Sequence, residues 1–173
     1  MVNQKAIFLD RDGVIIKAPV KNRKPVSIRQ SKHLKIYKGC QKLVRKFKLK
    51  KYKVFMITNQ PEVARKKISK KFVIKINNFI KKKLNLDKVY VCYHDDHHNC
   101  NCRKPKPGMI ISAAKNWKIN IKESILVGDR KKDIEAGYSV GLKCYFIDRN
   151  YNEKKPSKKK CTYVNSITNI PFN

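Results

Sequence analysis

Residues 5–14 read KAIFLDRDGV. Four apolar residues run directly into two aspartates two positions apart, followed by a glycine. A short, continuous apolar run of this kind is what a strand buried on both faces of a parallel sheet requires. Similar runs recur at 53–57 (KVFMI), 88–92 (KVYVC), 124–128 (SILVG) and 143–147 (KCYFI). Helical patterns separate them. Residues 40–50 carry Leu43, Val44 and Phe47. Residues 70–84 carry Phe72, Val73, Ile76, Phe79, Ile80 and Leu84 as an apolar stripe at helical period, with Ser69 placed to cap it. Shorter candidates lie at 108–117 and 131–140.

This alternation predicts an α/β fold: a doubly wound, mostly parallel Rossmann-like sheet with helices on both faces and right-handed crossovers. The 173 residues suit one domain with a sizeable core. No apolar run approaches the eighteen residues of a membrane span, and MVNQKAIFLD lacks a signal region, so a cytosolic protein is expected. Six cysteines in that compartment are metal ligands or buried thiols rather than disulfides. The net charge is +31. It is open to three readings: compositional bias towards Lys, Asn and Ile, a field that draws a small anionic substrate, or nucleic-acid binding. The lysines form no single stripe, and KKPSKKK (154–160) is their densest run.

Ligands of such sheets bind at the carboxyl ends of the strands. The first run ends in Asp10-Arg11-Asp12-Gly13, the second in Thr58-Asn59-Gln60, and the fourth in Asp129-Arg130-Lys131-Lys132-Asp133. The third leads to Arg103-Lys104. Only twelve carboxylates exist in the chain, with none between Asp12 and Glu62, yet four of them fall at two of these ends. Crowded carboxylates repel, and a hard cation such as Mg2+ resolves the conflict, so Asp10 and Asp129 are candidates to hold one. One aspartate can then attack phosphorus while the other moves protons. Thr58 and Lys104 would bind the oxygens where charge accumulates.

In this order and spacing, FLDRDGV, ITNQ, RKPKPG and VGDRKKD resemble the four motifs of the haloacid dehalogenase-like phosphatases, over roughly residues 4–149. The resemblance implies Asp10 as nucleophile and Asp12 as general acid/base. It implies Mg2+ on Asp10, the Asp12 carbonyl and Asp129, with Asp133 behind them orienting Lys104 or a metal water. Thr58 and Lys104 become the phosphoryl-stabilising pair, and Asn59, Gln60, Arg103 and Arg130 substrate contacts. With the cysteine loop included, the likeness extends to the branch acting on D-glycero-D-manno-heptose 1,7-bisphosphate, whose product feeds nucleotide-activated heptose for surface polysaccharide. Histidinol-phosphate phosphatases share that loop, and polynucleotide 3′-phosphatases share the four motifs. Val14, where the histidinol enzymes more often carry threonine, leans to the sugar.

The cysteine loop is CYHDDHHNCNC, residues 92–102. Cys92, His94, Cys100 and Cys102 supply three thiolates and an imidazole, a set that suits tetrahedral Zn2+ and leaves no open position, hence a structural ion. His97 and His98 compete with His94 for the fourth place. A Cys100–Cys102 disulfide would be strained. Because Cys102 directly precedes Arg103 and Lys104, a clamped loop would preorganise the phosphate-binding lysine. The 45 residues between Thr58 and Lys104 hold one helix, one strand and this loop, so no separate cap domain is expected and the site should be open from above.

Pro61 and Lys66 stand where the family carries small residues and a glycine. Residues 17–38 read as a basic loop framing the substrate, able to meet a second phosphate or simply solvated. Cys40, Cys144 and Cys161 read as small apolar fillers and Trp117 as core. The extension 150–173 lies outside the resemblance, with TYVNSI (162–167) a candidate edge strand. A monomer is expected, with no membrane partner.

Overall fold

Strand β1 (Ala6–Asp10) is buried at every position, as its unbroken apolar run requires. It is the centre of a six-stranded sheet in the computed structural model, which describes residues 4–171. In chain order, β2 (Val20–Lys21), β3 (Lys24–Pro25), α1 (Cys40–Leu49), β4 (Lys53–Asn59), α2 (Lys70–Leu84) and β5 (Lys88–Cys92) follow. Then come α3 (Gly108–Trp117), β6 (Ile125–Gly128), α4 (Lys131–Tyr138), β7 (Lys143–Ile147) and β8 (Thr162–Val164). The sheet order is β5-β4-β1-β6-β7-β8, and every pair is parallel. The expected doubly wound sheet is present, and TYVNSI does supply its edge strand, β8.

Alternate side chains of each strand feed two cores. Ile7, Leu9, Val54 and Met56 pack against α1 and α2 through Leu43, Phe47, Ile76 and Ile80. Phe8, Phe55 and Ile57 pack on the other face against Met109, Ile110 and Ala113 of α3 and Ile134 and Ala136 of α4. Cys40 and Cys144 are buried among these groups, as their reading as fillers anticipates, while Cys161 is half-buried. Trp117 is partly exposed, its ring 5.4 Å from Phe55 and under Lys53.

Ser69 caps α2, accepting from the Phe72 amide at 3.1 Å, a contact worth ~1 kcal/mol. Two details depart from the sequence reading. Phe79 is 53% exposed, because the buried stripe runs through Val73, Ile76, Asn77, Ile80 and Leu84 and leaves position 79 on its flank. Residues 17–38 are not wholly loop: β2 and β3 pair antiparallel across Asn22-Arg23, both with positive φ, as a tight hairpin demands.

Strand order reverses around β1: the chain winds out through β4 and β5, then returns to β6 on the other side. The crevice created there lies beyond Asp10. Among the described residues no helix is long and apolar enough to cross a membrane.

Candidate active site

Past Asp10 the chain turns at Gly13, with φ at 88°. A Cβ there would stand 1.7 Å from Asp129 Oδ2, so both the dihedral and the approach demand glycine. Arg149 fixes the turn, its Nε donating to the Gly13 carbonyl at 2.8 Å while its guanidinium lies over Tyr37.

The turn brings Asp10, Asp129 and Asp133 together, with ligand oxygens within 4.8 Å of one another. Lys104 enters this group from the far side. Its Nζ is 2.5 Å from Asp10 Oδ1, 2.7 Å from Asp133 Oδ1 and 3.4 Å from the Ile57 carbonyl. Burial opposes charge on Lys104, but the two carboxylates outweigh it and hold the ammonium protonated. Burial, with Asp133 and Asp12 nearby, pushes Asp10 up to about 6 despite Lys104. Burial drives Asp129 well above the carboxylate range, helped by Asp10 and Asp133. The Tyr151 hydroxyl sits beside it, yet neither Asp129 oxygen has a hydrogen-bond partner of good geometry. Two orphaned buried oxygens amid three carboxylates are what a cation-binding site presents before its ion. Asp133 is lowered, because Lys104, Lys132 and the Arg130 amide together overcome its burial; Oδ2 accepts from that amide at 3.0 Å. It therefore both starts α4 and orients Lys104.

Asp12 is held differently. Arg11 Nε and NH2 lie 3.0 and 3.2 Å from its two oxygens, and Gln60 Nε2 donates to Oδ2 at 2.8 Å. Arg11 is 1% exposed and is itself anchored on Asn77 Oδ1 of α2. Thr58 Oγ1 accepts from the same Gln60 amide at 2.9 Å.

Three of the four expected substrate contacts, Asn59, Arg103 and Arg130, line the cavity. Gln60 is fully buried and does not line the cavity; it ties Asp12 to Thr58. Asn59 lines the cavity, but its amide makes two hydrogen bonds to the Lys104 backbone. Arg103 and Arg130 also line it, each already engaged: Arg103 with Asp96 and the His94 carbonyl, Arg130 with Glu153. The cavity holds about 620 Å³, walled by the β2–β3 hairpin on one side and by Asp96 of the cysteine loop with the adjoining Arg103 on another.

In that loop the four candidate ligand atoms also fall within 4.8 Å of one another. Cys92–Cys100 and Cys100–Cys102 sulfurs are 3.7 and 3.4 Å apart, and His94 Nδ1 is 3.8 and 3.3 Å from Cys92 and Cys102. A tetrahedron with metal–sulfur bonds of ~2.3 Å has edges of about 3.8 Å, so the cage fits a tetrahedral ion. Of the competing histidines, His98 turns its Nδ1 to the Asp95 amide and His97 packs on its ring. Burial pushes the Cys92 thiol up to about 12, whereas Cys100 falls to about 7: hydrogen bonds from its neighbours outweigh burial.

Several participants carry no motif. Arg65 links Asp95 and Glu62, joining the segment after Thr58 to the cysteine loop. Tyr151 and Glu153 come from beyond the recognisable motifs. Lys132 lines the cavity, and burial with Arg130 beside it pulls it down to about 8. Only the position of Lys132, inside the last motif, was a signal in the sequence.

Residues 5–165 match the family described as polynucleotide kinase 3 phosphatase. The chain belongs to this haloacid dehalogenase-like phosphatase family. Its curated relatives include the D-glycero-beta-D-manno-heptose-1,7-bisphosphate 7-phosphatase of Helicobacter pylori, 34% identical over 149 residues, 83% of each chain. The D-glycero-alpha-D-manno-heptose-1,7-bisphosphate 7-phosphatase of Campylobacter jejuni is 33% identical over 143 residues, 80% of this chain and 78% of that one. A solved phosphatase structure, D,D-heptose 1.7-bisphosphate phosphatase of B. bronchiseptica complexed with magnesium and phosphate, superposes with a TM-score of 0.81. It is 21% identical, covering 95% of this chain and 94% of that one.

Proposed function

We propose that this phosphatase removes the C7 phosphate of D-glycero-D-manno-heptose 1,7-bisphosphate, with Asp10 as nucleophile. The observation that carries the chemistry is the placement of Lys104 between Asp10 and Asp133, at the switch point of the sheet. Asp10 attacks phosphorus, the bond from phosphorus to the C7 oxygen breaks, and Asp12 delivers its proton to the leaving oxygen. Asp12 then takes a proton from water as that water attacks the aspartyl-phosphate, which releases phosphate and restores Asp10. Arg11 and Gln60 hold Asp12 in place for both transfers. Lys104 and Thr58 stabilise the phosphoryl oxygens. Asp10, Asp129 and the Asp12 carbonyl would hold Mg2+, which supplies positive charge for the phosphoryl group. Cys92, His94, Cys100 and Cys102 would hold a structural Zn2+, whose thiolate ligands suit a reducing, cytoplasmic setting. The protein acts as a monomer.

The sugar assignment is supported by the heptose-bisphosphate names of the relatives, which divide between the two anomers. The family description and the +31 charge support a rival, a polynucleotide 3′-phosphate. The test is phosphate release with Mg2+ from both heptose 1,7-bisphosphate anomers, histidinol phosphate and a DNA 3′-phosphate, with Asp10→Asn as the blank. A tenfold lead for a heptose bisphosphate, about 1.4 kcal/mol of transition-state preference, is expected. A lead for the DNA phosphate would transfer the chemistry to the rival substrate.

A further inference from the structure

Most cations lining the cavity are already neutralised. Arg65 is paired with Asp95 and Glu62, Arg103 with Asp96, Lys104 with Asp10 and Asp133, and Arg130 with Glu153. Among the described residues, three lining cations have no hydrogen-bond or ion-pair partner: Lys24, Arg29 and Lys132. Lys24 and Arg29 are exposed and solvated by water. Lys132 is half-buried, so its hydration is incomplete and nothing in the chain replaces it.

Its position makes this worse. Lys132 stands in the first turn of α4, where the helix dipole disfavours a cation. The neighbouring Lys131 escapes through an ion pair with Glu135, 3.2 Å away. Lys132 instead faces Arg130, Lys104 and Arg103, and the nearby Asp133 is committed to Lys104 and the Arg130 amide. A sequence that places a half-buried lysine, without a hydrogen bond or ion pair, against three other cations has a local conflict that the shared Asp133 only partly relieves, and such conflicts concentrate at functional sites.

Lys132 lines the cavity between the buried centre and the rim, where its charge is felt by Asp133 on one side and by Asp96 on the other. It lies near enough to Asp96, whose side chain is 80% exposed at the rim, to help hold that carboxyl down. The charges that act most strongly on Asp10 are Lys104, Asp133 and Asp12.

We infer that Lys132 binds a second anionic group of the substrate, distal to the phosphoryl group that Asp10 attacks. This rests on the phosphatase reading of the site, but not on the identity of the sugar. Lys132 is then a specificity determinant: it favours bisphosphates over monophosphates.

The experiment compares kcat/KM for paired substrates, heptose 1,7-bisphosphate against heptose 7-phosphate and fructose 1,6-bisphosphate against fructose 6-phosphate. Wild type, Lys132→Met and Lys132→Arg are measured with Mg2+. The bisphosphate-to-monophosphate ratio is expected to fall about tenfold in Lys132→Met, chiefly through KM, and to recover in Lys132→Arg. Removing a half-buried charge that has no hydrogen bond or ion pair should leave Tm unchanged or raised, and Lys132→Gln serves if the methionine variant misfolds. A ratio within twofold of wild type in both sugar pairs overturns the inference, as does a fall in Lys132→Arg equal to that in Lys132→Met. If wild type prefers neither heptose substrate, the sugar assignment fails, while the fructose pair still decides the role of Lys132.

Discussion

Lys104 Nζ lies 2.5 Å from Asp10 Oδ1, and both side chains are almost wholly buried. Such a pair costs desolvation energy that attraction alone rarely returns. Lys104 survives there because it serves two carboxylates, Asp10 and Asp133. Its backbone is clamped by Asn59 on one side and follows the cysteine cage on the other. Replacing it with methionine strands those carboxylates. Lys104→Met is expected to lower kcat by about 10²–10³, and to cost about 3–5 kcal/mol in urea unfolding without Mg2+. Near-normal turnover would remove Lys104 from the phosphoryl site.

Stability without Mg2+ should fall as pH rises. Asp10 is pushed up to about 6 and Asp129 also upwards, so the folded protein keeps protons that the unfolded chain gives up. The folded state is therefore favoured at low pH; the Asp10 part of that advantage is lost between about 4 and about 6, and Asp129 adds to the loss in the same direction. Asp133, shifted downwards, acts oppositely, but only below the ordinary carboxylate range. A cation binds the ionised form. The rise in Tm on adding Mg2+ should thus be larger at about pH 7.5 than at about pH 5, measured by scanning fluorimetry. An equal rise at both would separate the ion from these carboxylates.

Asn77 is a polar residue in the buried stripe of α2, and it holds Arg11, which holds Asp12. Asn77→Leu should lower kcat roughly tenfold with little change in KM, and alter the pH–rate profile. Asn77→Asp keeps the acceptor and should restore most of the rate. Loss of stability alone, with kcat intact, would make Asn77 purely structural.

Metal analysis should find about one zinc per chain, lost in Cys100→Ser. Its removal by a chelator should make Cys92, Cys100 and Cys102 reactive to a thiol reagent and depress kcat, since the clamp on Arg103 and Lys104 opens. Full activity after complete zinc loss would limit the ion to local stability.

The residues at the strand ends were legible because a buried strand delivers its last side chain to one place. Asp10, Thr58 and Asp129 needed only the apolar runs before them. His94 was favoured by spacing, but only the turning of His98 to the Asp95 amide separates it from its neighbours. What Gln60 and Asn59 hold was not legible, for a related reason. A motif fixes where a residue lies along the chain, not whether its amide faces substrate or backbone. Tyr151 and Glu153 were invisible because they reach the site after β7, where chain direction depends on the packing of β8 and not on any local pattern. The anchoring of Arg11 by Asn77 was hidden too, since a polar residue within an apolar stripe reads as an interruption.

The most direct measurement is to quench turnover of phosphate-labelled substrate in acid, reduce with borohydride and map the peptides. Asp10 as nucleophile predicts label on the chain during turnover and homoserine at position 10 after reduction, both absent in Asp10→Asn. Rapid phosphate release with no label at residue 10 would contradict it.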